Sequence, residues 1–398
     1  MTPASLDDLR VRGARVLMNT YARQPLAITR AHGVWVEDAD GNELIDLVGG
    51  LGVNVLGHAP AEVSEALREQ AQQLLHTSNL YFTAPQVELA ERLVATAFPA
   101  RVFFCNSGAE ANETAIKVAR KWGARAKKGA HRIVALQGGF HGRTLGALAA
   151  TAQPRYREPF VPLPPGFEHV AADIDAIRDA AGDSACAVLL EPIQGESGVL
   201  PLGDALLTDV RRLCDERGML MIVDEVQTGM GRTGSWWAHQ HAGVVPDVMT
   251  VAKGLGGGVP IGAVLAGPRA DVLEPGDHGS TFGGNPLASA AGCAVLRTIE
   301  ERGLVARAGR MGEYLREQLL SSDGGGAVES VRGRGLMLAA VLREPLAAHV
   351  AAAALQRGVI VNPIGERVLR MLPALTITES EADLAMRRLG QAIAAVAG

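Results

Sequence analysis

The sequence predicts an α/β fold in which a large domain holds a mostly parallel sheet and a smaller α+β domain follows it. Between residues 101 and 266, short apolar runs typical of buried strands alternate with amphipathic stretches. That alternation favours parallel strands covered by helices on both faces. The length of 398 residues fits this division, since it allows about two domains of roughly 100–200 residues each.

The strands of the large domain are predicted from apolar runs at residues 101–105, 132–136, 185–193, 219–226, 248–252 and 261–266. A helix is predicted over residues 85–98, where apolar side chains recur every three or four positions. Thr83 and Gln86 form the sequence pattern of a capping box at its start. Residues 204–217 predict a similar helix that ends at Gly218. Binding sites in such sheets lie at the carboxyl ends of the strands.

The smaller domain is predicted from residues 327–342 and 358–363, which resemble strands on either side of a helix at residues 345–356. Residues 321–326 are predicted to form a turn before it. The proline-rich residues 154–165 lack periodicity, so they are expected to cross the surface of the large domain.

Residues 27–37 and 43–46 also resemble strands, and the turn at residues 40–42 joins them. These N-terminal strands are expected to pack with the smaller domain. The predicted division is therefore an N-terminal segment at residues 1–50, a large domain at residues 51–290 and a small domain at residues 291–398.

The composition excludes several functions. Lys and Arg total 38 against 43 Asp and Glu, so the formal charge of −5 offers no basic surface for nucleic acid. No apolar run approaches the ~18 residues of a membrane span, and the first residues carry acids where a secretion signal has an apolar core. The four cysteines form no CxxC pair, which is typical of a reduced compartment and argues against a metal site. We expect a cytoplasmic protein without nucleic-acid or membrane partners.

One lysine stands apart from the other basic residues. The chain has only five lysines, and Lys253 is the one that follows Lys128. It ends an apolar strand and opens a glycine-rich loop. Lysine can lose its proton and form a Schiff base, whereas arginine cannot. The alternative, an ordinary lysine at the end of a strand, stays open on this observation alone.

Three other strand ends carry functional groups. Asp224 closes an apolar run. A carboxylate buried there needs a cation or a protonated nitrogen as its partner. The alternative is that Asp224 only caps a turn. Ser107 and Glu110 form a capping box at a helix start, and Gly108 would let a phosphate approach the free N–H groups there. Residues 138–144 place an aromatic ring and a guanidinium at the same edge of the sheet.

Two patterns nearby are weaker. Gly229, Gly231 and Gly234 match a dinucleotide fingerprint by spacing, but no acidic residue about 20 positions on supplies the ribose contact. His239 and His241 lack carboxylate neighbours in sequence, so we interpret them as solvated rather than metal-binding.

Each of these signals also has an ordinary structural explanation, but together they describe one ligand. A phosphate site, a flat aromatic ring, a buried carboxylate and a single lysine, all at strand ends, fit a phosphorylated pyridine ring with an aldehyde. We therefore predict pyridoxal 5′-phosphate as the cofactor.

The chain also resembles the class III pyridoxal-phosphate aminotransferases of fold type I. The segments that carry the resemblance are residues 106–112, 140–145, 191–196, 224–234, 252–261 and 279–286. The family implies a large domain with a mostly parallel, seven-stranded-type sheet and a smaller α+β domain. It also implies a homodimer with active sites at the interface. Within the family, residues 50–58 and 361–370 are most similar to the members that act on acetylated ornithine.

The resemblance implies a role for each matching residue around the cofactor. Lys253 would bind the aldehyde and transfer the proton, and Asp224 would keep the ring nitrogen protonated. Phe140 would stack on the ring. The remaining cofactor contacts implied are Ser107, Gly108 and Ala109 at the phosphate, Thr281 from a partner subunit, and Glu225, Val226 and Gln227 beside the ring.

For the substrates, the resemblance implies contacts from Arg143 and Ser280 to the acylated amino donor and from Arg370 to an α-carboxylate. Glu196 would help one site accept both a donor and 2-oxoglutarate. Donors such as ornithine, succinylornithine, acetyl-lysine and 4-aminobutyrate remain open, because enzymes acting on them share most of these motifs. A pyridoxal-phosphate enzyme that does not transaminate and a nicotinamide dehydrogenase are more distant alternatives.

Overall fold

A computed structural model describes residues 5–321 and 326–397 of the chain. The elements before the main sheet are α1 (Leu6–Val16), β1 (Ile28–His32), β2 (Trp35–Asp38), β3 (Glu43–Asp46), α2 (Gly49–Gly52), α3 (Ala61–Ala71) and α4 (Ala84–Thr96). The turn predicted at residues 321–326 falls mostly outside the described residues.

The large domain contains the elements β4 (Arg101–Cys105), α5 (Gly108–Ala126), β5 (Arg132–Leu136), α6 (Leu145–Ala150), α7 (Pro154–Arg157), β6 (Phe167–Val170), α8 (Ile174–Ala180), β7 (Ala185–Leu190), β8 (Ile193–Gln194), β9 (Leu200–Pro201), α9 (Asp204–Arg217), β10 (Leu220–Asp224), β11 (Val248–Val251) and β12 (Gly262–Ala266). Both α7 and the short 3₁₀ turn after it lie in the segment that the sequence predicts as an irregular crossing.

The C-terminal part contains α10 (Pro286–Glu301), α11 (Leu304–Ser321), β13 (Val328–Arg334), β14 (Met337–Leu342), α12 (Ala347–Gln356), β15 (Val359–Ile360), β16 (Asn362–Ile364), β17 (Val368–Met371) and α13 (Glu379–Ala397). The strand-like stretch predicted at residues 327–342 is the hairpin of β13 and β14, which turns at Gly335, where φ is +54°. An apolar run alone does not indicate this reversal.

The main sheet has seven strands in the order β4-β12-β11-β10-β7-β5-β6. Its strands run parallel except β12, which pairs antiparallel with both β4 and β11. The predicted mostly parallel sheet is therefore confirmed.

Helices cover both faces of this sheet. In β7, Ala187 and Leu189 pack in the apolar cluster that contains α5, whereas Val188 and Leu190 pack in the cluster that contains α8 and α9. Successive side chains of a strand point to opposite faces, so a strand buried on both sides is apolar throughout. This burial explains why inner strands such as β7 appear in the sequence as unbroken apolar runs, whereas the edge strand β6, which is only partly buried, carries Glu168 and His169 and is not predicted.

Strand β7 ends at Leu190, earlier than the predicted strand at residues 185–193, because Pro192 has no N–H group to continue the ladder. The capping box predicted before α4 is wrong: Thr83 makes no side-chain cap, and the Gln86 amide donates to Asn79 instead. The α9 prediction is confirmed, with Gly218 in the left-handed conformation at its end.

Two smaller sheets involve the chain ends. One has the order β1-β2-β3-β15, and β15 pairs parallel with β3, so the N-terminal strands join the C-terminal part. The other has the order β13-β14-β17-β16. The boundaries at residues 50 and 290 remain a prediction.

Within the described ranges, no helix combines the length and the apolar character needed to cross a membrane.

Candidate active site

The carboxyl ends of the parallel strands open into a cavity of about 610 Å³, a size typical of small-molecule sites. The residues that follow β4, β5, β7, β10 and β11 all contribute to its lining. Among the sequence-predicted site residues, those in the lining are Ser107, Gly108, Ala109, Phe140, Arg143, Glu196, Asp224, Val226, Gln227 and Lys253.

Lys253 lies just beyond β11, at the first position of a 3₁₀ turn. Its φ is +42°, in the left-handed region that side-chain-bearing residues rarely adopt, and such strain is concentrated at functional sites. Among the described residues, none makes a hydrogen bond or ion pair with its ammonium group. Burial lowers the pKa of Lys253, although Glu196 acts in the opposite direction. An amine that is desolvated and unpaired is suited to act as a nucleophile.

Asp224 lies at the end of β10 and forms the centre of a buried network. Its Oδ2 is 2.8 Å from His141 Nδ1 and accepts a 2.7 Å hydrogen bond from the Asn112 amide. Its Oδ1 accepts the backbone N–H of Val226 at 3.0 Å. Burial would raise the pKa of Asp224, but the hydrogen bond and charge of His141 outweigh it, so the pKa is lowered. The group facing the cavity is therefore a carboxylate.

The start of α5 has features of an anion site. Ser107 is the N-cap, and its hydroxyl accepts the N–H of Glu110 at 3.2 Å. The Glu110 carboxylate accepts the N–H of Asn106. In a complete capping box it would accept the N–H of the N-cap residue, Ser107. The N–H groups of Gly108 and Ala109 have no acceptor four residues back within the helix, so they are free for an anion. A Cβ at Gly108 would lie 2.8 Å from Val226, which explains the glycine.

Arg370 joins the C-terminal part of the chain to the site. It lies on β17 and is only 2% exposed. Its Nη1 is 2.6 Å from the Glu196 carboxylate and 3.3 Å from the Gln227 side-chain oxygen, while its other nitrogens donate to Asn362. Burial would raise the pKa of Glu196, but the charge of Arg370 lowers it. Arg370 is thus neutralised before any substrate enters.

Glu191 follows β7 and is a second buried carboxyl group in the cavity wall. It accepts the N–H of Phe140 at 2.9 Å and the N–H of Gly195 at 3.3 Å. Burial raises the pKa of Glu191 to about 7, while the positive charge of His141 lowers it and the negative charge of Asp224 raises it. The folded protein therefore holds a proton on Glu191 at a pH where the unfolded chain has released it.

This difference predicts a pH-dependent loss of stability. Between the ordinary pKa of 4.5 and about 7, the folded state binds more protons than the unfolded state, so the free energy of unfolding falls as pH rises. Glu191→Gln removes this titration. We expect chemical denaturation at several pH values to show wild type losing stability relative to Glu191→Gln across that window. Parallel pH curves for the two proteins would contradict the prediction.

Four predicted residues lie outside the cavity lining. Arg370 is directly behind Glu196, as described above. The Glu225 carboxylate bonds Thr228 and His239 in the interior, away from the cavity. Ser280 and Thr281 line a different hollow, where the Ser280 hydroxyl accepts the N–H of Gly283 at 3.0 Å.

The histidine prediction is wrong for His239, which is 1% exposed with Nδ1 3.0 Å from Glu225. Glu225 and His239 are fourteen residues apart, so only the fold brings them together. The glycines at 229, 231 and 234 form a turn rather than a dinucleotide loop. A Cβ at Gly229 would lie 2.7 Å from Trp237, and one at Gly234 would lie 3.1 Å from Gly309, so close packing accounts for both.

Sequence reasoning missed several residues of the site. His141 and Asn112 hold Asp224, and Asn112 did carry a signal, since it is a polar residue on the buried face of α5. Tyr21, in the cavity lining, and Tyr156, which contacts Phe140 and Arg143, had no local signal.

The residues present fit the predicted cofactor. The free amine of Lys253, the ionised Asp224 and the free N–H groups of α5 line one cavity, together with the ring of Phe140. These groups match an aldehyde, a protonated ring nitrogen, a phosphate and an aromatic face respectively. The fold and the site define a pyridoxal-phosphate-dependent transferase of fold type I.

Comparison with known proteins narrows this class. The sequence profile of the class III aminotransferases matches residues 17–393. The chain belongs to the class III aminotransferase family. It is 48% identical to the acetylornithine aminotransferase of Corynebacterium efficiens, over 98% of each chain. It is 49% identical to that of Mycobacterium tuberculosis, over 94% of this chain and 93% of that protein.

Solved structures agree with this assignment. The N-acetylornithine aminotransferase of Stenotrophomonas maltophilia is 41% identical and superposes with a TM-score of 0.82, covering 94% of this chain and 97% of that one. The ornithine aminotransferase of Toxoplasma gondii is 33% identical with a TM-score of 0.95, covering 99% of this chain and 96% of that one.

Proposed function

We propose that this enzyme transfers the δ-amino group of N2-acetyl-L-ornithine to 2-oxoglutarate, giving N-acetyl-L-glutamate 5-semialdehyde and L-glutamate. The observation that carries the proposal is the unpaired amine of Lys253 in the same cavity as the ionised Asp224 and the guanidinium of Arg143. The names of the relatives support the acetylated donor. The reaction belongs to arginine biosynthesis.

The chemistry that pyridoxal phosphate supplies when bound is an aldehyde for the amino group and a ring that accepts electrons from the neighbouring carbon. The residues of the chain prepare the site for it. Lys253 supplies a free amine that can also carry a proton to and from the substrate carbon. Asp224 keeps its negative charge through His141 and so favours a proton on a ring nitrogen. Phe140 and Gln227 line the same cavity as Lys253.

Arg370 is paired with Glu196, whereas Arg143 has no carboxylate partner among the described residues. This difference favours the binding of two different substrates in turn. Arg143 faces the cavity, and within residues 5–321 and 326–397 no carboxylate pairs with it. It can therefore bind the α-carboxylate of the amino donor. Arg370 is covered by Glu196, and a substrate carboxylate that reaches it must displace that glutamate. We propose that 2-oxoglutarate engages both arginines, since it has two carboxylates.

We also propose a homodimer with its sites at the interface. Four large apolar residues near the hollow that holds Ser280 and Thr281 are strongly exposed, with Leu80 at 86% and Phe82 at 97%. Tyr81 and Phe282 belong to the same group. Exposed apolar clusters of this kind mark interaction surfaces. A second copy seated there would bring Thr281 close to the phosphate end of a neighbouring site.

A cytoplasmic location is proposed on the state of the cysteines. All four are free and buried in the structure, as expected for a reducing compartment.

The choice of donor is tested with a panel of amino donors. With 2-oxoglutarate as acceptor, we expect kcat/KM for N-acetylornithine to exceed that for ornithine by about tenfold or more, because a free α-ammonium would lie beside the guanidinium of Arg143. Succinylornithine, acetyl-lysine and 4-aminobutyrate complete the panel, and glutamate formation is the readout. Higher kcat/KM with ornithine or 4-aminobutyrate would overturn the assignment.

A further inference from the structure

Arg143 is held in the cavity by aromatic rings rather than by a carboxylate. Its Cζ lies 3.7 Å from the centre of the Tyr156 ring and 5.5 Å from the centre of the Phe140 ring. Its side chain makes no hydrogen bond to any residue in the described ranges. The rings attract the guanidinium, since an aromatic face is electronegative.

Tyr156 is itself fixed from two directions. It lies on α7, half-buried, and its ring meets Phe140 edge-on with a centroid distance of 5.9 Å. Its hydroxyl accepts a 2.7 Å hydrogen bond from Arg155, whose Cζ is 4.5 Å from the ring centre. Tyr156 therefore links the ring of Phe140 to the guanidinium of Arg143.

We propose that Tyr156 is a positioning residue that holds Arg143 ready for a substrate carboxylate. The inference rests on the proposed function, in which Arg143 binds the donor and 2-oxoglutarate. The Arg143 guanidinium contacts a ring 3.7 Å away and donates no hydrogen bond to the described residues, so its N–H groups stay available for a carboxylate. A carboxylate partner would instead occupy those donors, as Glu196 does for Arg370.

The contact with Tyr156 also reduces the conformational entropy that Arg143 loses when a substrate binds. A free arginine side chain loses most of its rotamer freedom when it is fixed, and that loss opposes binding. Tyr156 restricts Arg143 before the substrate arrives, so less of that loss falls on binding. Tyr156 is not among the residues that line the cavity, so removal of its ring should weaken substrate binding without slowing the chemical step.

The test compares Tyr156→Phe with Tyr156→Met in the cofactor-loaded enzyme. Calorimetry measures the binding of glutarate, a dicarboxylate that cannot be transaminated. We expect Tyr156→Met to weaken glutarate about tenfold and to raise KM for both substrates similarly, with kcat nearly unchanged. Tyr156→Phe keeps the ring face and should retain most of the affinity. Tyr314→Leu, which removes a tyrosine bonded to Asp383 away from the site, serves as the control.

Three outcomes would overturn the proposal: wild type that does not bind glutarate, Tyr156→Met with wild-type affinity, or equal weakening in the phenylalanine and methionine variants. The last outcome would assign the effect to the hydroxyl. If the methionine variant does not fold, as judged by thermal unfolding, Tyr156→Leu replaces it. Because glutarate binding needs no amino donor, this result stays separate from a failure of the donor panel.

Discussion

Lys253→Ala is expected to reduce turnover by roughly 10⁴–10⁶-fold, the range seen when a covalent nucleophile is removed. Among the described residues, no other amine lies in the cavity lining, so none can take over its role. The fold should survive, because the side chain has no partner to lose and alanine meets the same φ of +42°. Burial lowers the pKa of Lys253, so the charged lysine costs stability at neutral pH.

Two measurements check this prediction. Steady-state glutamate formation gives the loss of turnover, and thermal unfolding of the cofactor-free proteins should show the alanine variant at least as stable as wild type. Lys127→Ala is the matched control, because Lys127 is also a lysine with a pKa lowered by burial, but it bonds the Ala185 carbonyl outside the site. Turnover of Lys253→Ala within about tenfold of wild type would refute the assigned role.

Asp224→Asn should lower kcat/KM by roughly 10²–10³-fold, as expected when one preorganised charge is removed from a site. The amide has nearly the same shape but cannot stabilise a positive charge on a ring nitrogen. The substitution also removes the Asp224 carboxylate, which raises the pKa of His141, whereas burial lowers it. The proton on His141 should therefore be lost at a lower pH in the variant.

The matched control is Asp247→Asn. Asp247 is also a buried aspartate with an arginine partner, Arg211 at 2.9 Å, but it precedes β11 at the opposite edge of the sheet. Its replacement should reduce stability and leave kcat/KM of the folded enzyme nearly unchanged. If Asp224→Asn retained full activity, its carboxylate would serve only the hydrogen bonds around it.

Most of the main sheet could be predicted because the signal is local. Strands β4 and β5 match the predicted bounds residue for residue, since after its leading arginine each is buried or partly buried and is made of apolar side chains. The capping box at Thr83 could not be decided this way. Whether Gln86 bonds its own helix or Asn79 depends on where another part of the chain lies.

The sequence alone shows which strand ends carry an amine, a carboxylate and a helix start expected to bind phosphate. These features are properties of a few consecutive residues, and parallel strands bring their carboxyl ends to one edge of the sheet. The charge state of those groups and the contacts that hold them depend on the folded arrangement of the chain. His141 lies 83 residues from Asp224, and Arg370 lies 174 residues from Glu196. A pKa or a preorganised guanidinium depends on such distant neighbours, because charge and burial act through space rather than along the chain.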